Sequence, residues 1–271
     1  MTAVSAIRTS ACSACKDGAP LDFDFSMAFQ PIFDMKSGVP WAYEALVRGA
    51  DGAGALAVLD RVTPDNRYAF DQRCRVVAIE RAVAAGILDG DARLSINFLP
   101  NAVYSPKACI QLTLRTAAAN RFPTDRLIFE FTENEKIKDP DHVMGIVHSY
   151  QEMGFTTAID DFGAGHAGLN LLAQFRPDVI KLDMELLRGI DTSTPRRMIV
   201  EAVVGLCARL GVRVVAEGIE TQAELDAVRS LGIDLVQGYL LARPAFEALP
   251  PLMLAPNAMA EARTLERSRR V

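Results

Sequence analysis

Histidine is scarce in this 271-residue chain, with three in all, and basic residues are no more numerous than acidic ones. The 29 lysines and arginines stand against 34 aspartates and glutamates, a formal net charge of -5. That balance excludes a broad basic field, so long nucleic acid is not an expected partner. No stretch approaches the roughly 18 to 20 consecutive apolar residues of a membrane span. The opening "MTAVSAIRTSACSACKDGAP" also lacks the continuous apolar segment of a signal peptide. A cytoplasmic protein that inserts into no membrane is expected. The five cysteines are odd in number and lack framework spacing, which agrees with a reducing compartment. Cys12 and Cys15 form a lone C-x-x-C with no second pair or histidines nearby to complete a zinc site. A functionally silent tail is the simpler reading of that pair, and a redox or intermolecular metal role is the other. Cys74, Cys109 and Cys207 lie in apolar, helix-like contexts and read as core residues.

Half of the residues are apolar and 23% are charged, an ordinary globular composition. A chain of this length suits one large domain or two modest ones and buries a core without disulfides. Residues 1–24 read as a flexible tail, 25–250 as one domain, and 251–271, with "AEARTLERSRR", as a helical, basic end. Within the domain, short β-rich runs alternate with helical patterns. The strand candidates are "SMAFQPIFD", "WAYEALVR", "RLSINFL", "RLIFEFTE", "TTAIDD", "DVIKLD", "RVVAEGIE" and "LVQGYLLA". Between them lie apolar residues at helical spacing, as in "NRYAFDQRCRVVAIERAVAAG", "SPKACIQLTLRTAAANR" and "TPRRMIVEAVVGLCARLG". Repeated β-then-α units point to a parallel sheet with right-handed crossovers, and their number to a (β/α)8 barrel. Too few residues separate the first two strands for a crossover helix, so a hairpin around "MKSGVP" is expected. The fold class is therefore α/β, a modified TIM (β/α)8 barrel with an antiparallel first strand; a doubly wound open sheet is the alternative.

Nearly every strand carries a polar residue in or just after its apolar stretch: Glu44, Asn97, Glu130, Asp160 with Asp161, Lys181, Glu217 and Gln237. Singly, each has an ordinary reading as a turn residue, helix cap or surface acid. On so many strands, the pattern instead suggests convergence on the mouth of a barrel, where active sites lie. Five of these groups are carboxylates opposed by Lys181 alone. Two unit charges about 4 Å apart repel by roughly 4 kcal/mol at an effective dielectric near 20. Several such pairs rival a whole domain's stability of about 5–15 kcal/mol. Either many carboxyls are protonated or cations are bound, and hard oxygen donors suit magnesium or manganese. A pair of such ions is the arrangement that hydrolyses phosphodiesters. In that reading Asp160 bridges the ions, Asp161 binds one, and Gly163 and Gly165 let the next loop move. The "DFG" at 161–163 lacks the other protein-kinase motifs, and the "GAG" runs fall short of a dinucleotide fingerprint.

Eight segments, "FQPIFD", "YEALVRG", "LSINFLP", "IFEFTENE", "IDDFGAG", "VIKLDMELL", "VVAEGIET" and "QGYLLARP", occur in this order. Together they resemble the EAL family of cyclic di-GMP phosphodiesterases, over roughly residues 26–246. The resemblance implies hydrolysis of cyclic di-GMP to linear pGpG with two ions, Mg2+ or Mn2+. By matching motif, Glu44, Asn97, Glu130 and Asp160 would hold one metal, and Asp160, Asp161 and Glu217 the other. Lys181, with Glu44 and Glu217, would form the catalytic group, Lys181 contacting the attacking water. Gln30, Leu46 and Arg48 match substrate-contacting positions, with Gln237 supporting the site. Arg48 has the chemistry to grip a phosphate through two parallel hydrogen bonds. Glu133 and Glu220 match glutamates that order the loop after Asp161, although Glu220 also reads as a first-turn acid of "TQAELDAV". The family often forms homodimers, for which "AGLNLLAQF" is the candidate helix. A catalytically silent cyclic di-GMP receptor or interaction module is the alternative function. Departures from the pattern are His166, where tyrosine is common, and a bulky "NFLP" after Asn97.

Overall fold

The computed structural model describes residues 21–103, 105–132, 140–165 and 168–253. Cys12, Cys15, Glu133, His166 and the end of the chain from residue 254 lie outside the described residues. The expected hairpin is present: β1 (Phe25–Asp34) runs antiparallel to β2 (Val39–Gly49), with Phe25 opposite Gly49 and Asp34 opposite Val39. Gly38, at φ 76, adopts the left-handed conformation that this reversal uses. From β2 onward, β3 (Arg93–Asn97), β4 (Leu127–Thr132), β5 (Thr156–Phe162), β6 (Val179–Leu182), β7 (Arg213–Ala216) and β8 (Leu235–Val236) pair in sequence, all parallel. Strand β8 then pairs antiparallel with β1 and closes an eight-stranded barrel. A short β9 (Ala245–Phe246) adds antiparallel to β1 at Ala28 and Phe29.

The crossovers are helical. They include α1 (Ala55–Leu59), α2 (Arg67–Ala84), α3 (Pro106–Cys109), α4 (Gln111–Ala119) and α5 (Pro140–Glu152). Next come α6 (Gly168–Gln174), α7 (Met184–Leu187), α8 (Thr194–Leu210) and α9 (Gln222–Ser230). Helix α2 buries Val77, Ala78, Ile79 and Ala82 against the barrel wall, on the helical spacing seen in the sequence. Helix α9 opens with a capping box between Thr221 and Glu224. The helix expected over 105–121 is split at Ile110, a wholly buried side chain that ends α3 and begins α4. Two expected strands are shorter than their apolar patterns. "RVVAEGIE" leaves the sheet after Ala216 and "LVQGYLLA" after Val236. Beyond these points Gly238 lies against Ile219, where a Cβ would fall 2.1 Å from the Ile219 carbonyl oxygen. The two segments there bond as loops, Ile219 N–H to the Gln237 carbonyl and Leu240 N–H to the Ile219 carbonyl.

Side chains along a strand alternate between the barrel interior and the helical layer. The outward set joins the helices in the main core, with Phe29, Phe33, Phe129 and Phe131 all buried. Inward, Ile32, Ala42, Ile128, Ala158, Val179, Val215 and Leu235 form an apolar plug against which Trp41 packs. Two residues further toward the C-terminal ends of the parallel strands, the inward positions become Glu44, Glu130, Asp160, Lys181, Glu217 and Gln237. Gln30 joins them from antiparallel β1, two residues before Ile32. Among the described residues, no helix is long and apolar enough to cross a membrane.

Candidate metal centre and active site

The plug sets the floor of the site, and the period of two sets its walls. Strand β5 breaks that period at its end. Its register with β6 shifts between Ile159 and Phe162, and Asp161 holds φ 53, a left-handed conformation unusual for a residue with a Cβ. Such a conformation costs about 1–3 kcal/mol. Its consequence is that Asp160 and Asp161, adjacent in sequence, both line the same cavity.

Lys181, 2% exposed, occupies the middle of the cluster. Its Nζ lies 2.8 Å from Glu217 Oε1, 2.9 Å from Asp160 Oδ1, 3.3 Å from Glu130 Oε2 and 3.4 Å from Glu44 Oε2. Asn97 Nδ2 donates to Glu130 Oε1 at 3.1 Å and to Glu44 Oε1 at 3.4 Å. Gln237 Nε2 donates to Glu44 Oε2 at 2.9 Å, and Ser95 Oγ to Glu130 Oε2 at 2.7 Å.

The electrostatics follow from this crowding. Burial pushes the Glu130 and Glu217 carboxyls well above the usual carboxylate range; nearby carboxylates add to the shift and Lys181 opposes it. Burial acts on Glu44 too, but Lys181 and the Gln237 amide outweigh it and hold that carboxyl below its ordinary value. Burial alone would lower Lys181, yet Asp160, Glu130, Glu217 and Glu44 together raise it well above the usual ammonium value. Asp161, half-buried, is pushed up to about 6 by burial, then by Asp160 and Asp183.

Carboxylate oxygens of Glu44, Glu130 and Asp160 all lie within 4.8 Å of one another, as do those of Asp160, Asp161 and Glu217. Asp160 belongs to both groups. Its buried Oδ1 receives no hydrogen bond; the Lys181 ammonium is its ion-pair neighbour at 2.9 Å. Five carboxylates facing one ammonium, with Asp160 common to both groups, fit a pair of hard divalent cations. Asn97 turns its amide Nδ2 to Glu44 and Glu130 here, and would offer its Oδ1 to an ion by rotating that amide.

The cluster opens into a cavity of ≈ 270 Å³ that Gln30, Glu220, Gln237 and Tyr239 also line. A second, more apolar cavity of ≈ 290 Å³ is lined by Asn97, Leu46, Arg48 and Phe70. The residues expected to meet substrate are thus divided, Gln30 and Gln237 in the first cavity and Leu46 and Arg48 in the second. Arg48 Nη1 donates to the Val47 carbonyl at 2.7 Å. Gln30 Nε2 donates to the Ala242 carbonyl at 3.3 Å. Glu220 precedes the cap of α9, pairs with Arg188 at 2.9 Å, and leaves the first-turn position to Glu224. The bulky Phe98 of "NFLP" turns into the core, with Phe129, Phe131 and Tyr150 as ring neighbours.

Two polar residues of this site went unmarked in the sequence. Ser95 lies two residues before Asn97 on β3, and the period of two was the signal that could have found it. Asp183 follows β6, lines the first cavity and caps α7 by accepting the Glu185 N–H at 2.8 Å. An acid directly after a strand and before "MELL" was its trace.

The EAL domain family profile matches residues 19–244. The blue light- and temperature-regulated antirepressor BluF of Escherichia coli K12 is 35% identical over 226 residues, which cover 83% of this chain and 55% of that protein. The cyclic di-GMP phosphodiesterase PA2567 of Pseudomonas aeruginosa is 29% identical over 225 residues, 81% of this chain and 38% of its own length. The chain therefore spans only about half, or less, of these two relatives. Among solved structures, a standalone versatile EAL protein from Vibrio cholerae O395, in its c-di-GMP-bound form, superposes with a TM-score of 0.82 at 47% identity. That match covers 86% of this chain and 97% of the other. Klebsiella pneumoniae BlrP1, as a manganese and cyclic di-GMP complex, gives a TM-score of 0.78 at 34% identity, over 84% of this chain and 59% of its own.

Proposed function

The chain belongs to the EAL domain family, and we propose that it is a two-metal phosphodiesterase hydrolysing cyclic di-GMP to linear pGpG. The observation that carries this reading is the charge imbalance around Lys181, with Asp160 common to two carboxylate groups. In the proposal Glu44, Asn97, Glu130 and Asp160 hold one ion, and Asp160, Asp161 and Glu217 hold the other. The solved BlrP1 complex with manganese and cyclic di-GMP supports Mn2+ as the metal, and the hard oxygen donors suit Mg2+ as well. When bound, such ions supply Lewis acidity toward water and the phosphodiester oxygens.

The protein's own groups do the rest. The Lys181 ammonium, held among Glu44, Glu130, Asp160 and Glu217, contacts the attacking water and helps steer its proton. Glu44 and Glu217 flank that ammonium and fix where it points. Gln237 holds the Glu44 carboxylate by its Oε2. Gln30, Leu46 and Arg48 bind the nucleotide along the two cavities, Arg48 turning its guanidinium from the Val47 carbonyl to a phosphate. Glu220, and Glu133 beyond the described residues, order the loop after Asp161. A cytoplasmic homodimer completes the proposal, with α6 and its exposed Leu169 as the contact.

The purified protein incubated with cyclic di-GMP and Mn2+ or Mg2+ should yield pGpG by chromatography, and Glu44→Ala should yield none. Equal turnover by the variant would sink the assignment. A second reading, a silent cyclic di-GMP receptor or interaction module, is favoured by one relative's being named an antirepressor. It predicts tight nucleotide binding by calorimetry with the substrate recovered intact after incubation with metal.

A further inference from the structure

Helix α2 buries a second ion pair, outside the carboxylate cluster. Asp71 and Arg75, with side chains 1% and 0% exposed, are four residues apart and meet at 2.7 Å between Oδ2 and Nη2. Oδ2 also accepts from Gln72 Nε2 at 3.3 Å. Arg75 Nη1 donates to the Tyr150 hydroxyl at 2.9 Å, and its guanidinium carbon lies 5.6 Å and 5.5 Å from the Phe98 and Phe129 ring centres. Burying such a pair is costly, and apolar residues of similar size often stabilise as well or better.

The other carboxylate oxygen shows what the pair does. Asp71 Oδ1 accepts the backbone N–H of Leu99 at 2.9 Å. Asn97 is the last residue of β3, and the Phe98 N–H still reaches the Glu130 carbonyl at 2.9 Å. At Leu99 the chain has left the ladder, and the buried carboxylate takes over the work of the neighbouring strand. Asp71, held rigid by Arg75 and Gln72, thereby fixes the backbone two residues beyond Asn97. Asp71 and Asn97 also line the same cavity.

We infer that Asp71 is a positioning residue for the metal centre: its hydrogen bond to Leu99 holds the exit of β3 so that the Asn97 side chain stays between Glu44 and Glu130. This rests on the two-metal reading above. Outer partners that orient metal ligands typically change affinity 10–100-fold when removed.

Two double variants separate positioning from bulk stability. Asp71→Leu with Arg75→Met removes the ion pair and the acceptor for Leu99; Asp71→Asn with Arg75→Met removes the ion pair and keeps an oxygen acceptor. Mn2+ binding to the nucleotide-free proteins is measured by calorimetry and by the Mn2+ electron paramagnetic resonance signal. The asparagine variant should bind Mn2+ within about twofold of the parent, and the leucine variant about tenfold or more weakly. Equal Mn2+ binding by parent and both variants overturns the positioning role and leaves the metal reading standing. No binding to the parent overturns both. Hydrogen exchange on the parent applies even if the leucine variant does not fold. By reciprocity of coupling, Mn2+ should slow exchange of the Leu99 amide, and an unchanged rate overturns the proposal.

Discussion

Arg75 and Lys181 are both almost wholly buried cations, 0% and 2% exposed, and they are built into the barrel on opposite plans. Arg75 sits in the helical layer with one carboxylate, one phenol and two aromatic rings around it. Lys181 sits inside the barrel with four carboxylates within 3.4 Å and Asp161 beside them. The first cluster is electrically balanced within the protein. The second is not, and two of its carboxyls, Glu130 and Glu217, are pushed well above the ordinary range by burial and by the neighbouring Asp160 and Glu44 carboxylates. Buried charge that balances internally is structural by default. Buried charge that does not balance points to a cation from outside.

The largest effect expected is on the unbalanced cluster. Asp160→Asn alters the one carboxylate common to both groups and should abolish pGpG formation in the chromatographic assay; turnover near the parent rate would separate the cluster from the chemistry. On the balanced side, Arg75→Met leaves Asp71 buried without its cation. Breaking a buried pair in this way costs about 3–5 kcal/mol, which urea unfolding would register, and no loss would mean that the carboxylate relaxes by protonation.

A smaller effect should come from metal itself. Mn2+ at about 100 times its dissociation constant stabilises a site by about 2.7 kcal/mol. Thermal melts should rise with Mn2+ in the parent and in Arg75→Met, but much less in Asp160→Asn. The smallest effect concerns pH. Asp161 has its folded-state value raised to about 6 from 3.8, and burial raises Glu130 and Glu217 in the same direction. A carboxyl raised in the folded state holds its proton more tightly there than in the unfolded chain. Its contribution is therefore present at low pH and lost as pH rises through the folded value. The lowered Glu44 acts oppositely. Metal-free protein should thus melt lower at pH 7 than at pH 5, and saturating Mn2+ should cancel the difference, since metal binding displaces those protons. A metal-free melting point that rises over this interval would contradict the electrostatic account.

Much of this was legible from alternation alone. Glu44, Glu130, Lys181 and Glu217 each follow an apolar plug residue by two positions, so a strand period places them on one inward face. The hairpin was legible because "MKSGVP" leaves no length for a crossover. The inward aim of Asp161 was not, because the period of two points it outward and only a left-handed φ in a bulge reverses that. The early ends of β7 and β8 depend on Gly238 meeting Ile219, a contact between loops that apolar pattern does not encode. Asp71 and Arg75, four apart on a helix, have the spacing of an ordinary surface ion pair. Their burial comes from α5 and the end of β3 closing over them, which no local window contains.

Titrating Mn2+ into the nucleotide-free protein in a calorimeter tests the central claim most directly. The charge imbalance around Lys181 predicts two ions bound per chain, with protons released as they enter. A chain that binds no Mn2+ while folded would contradict it.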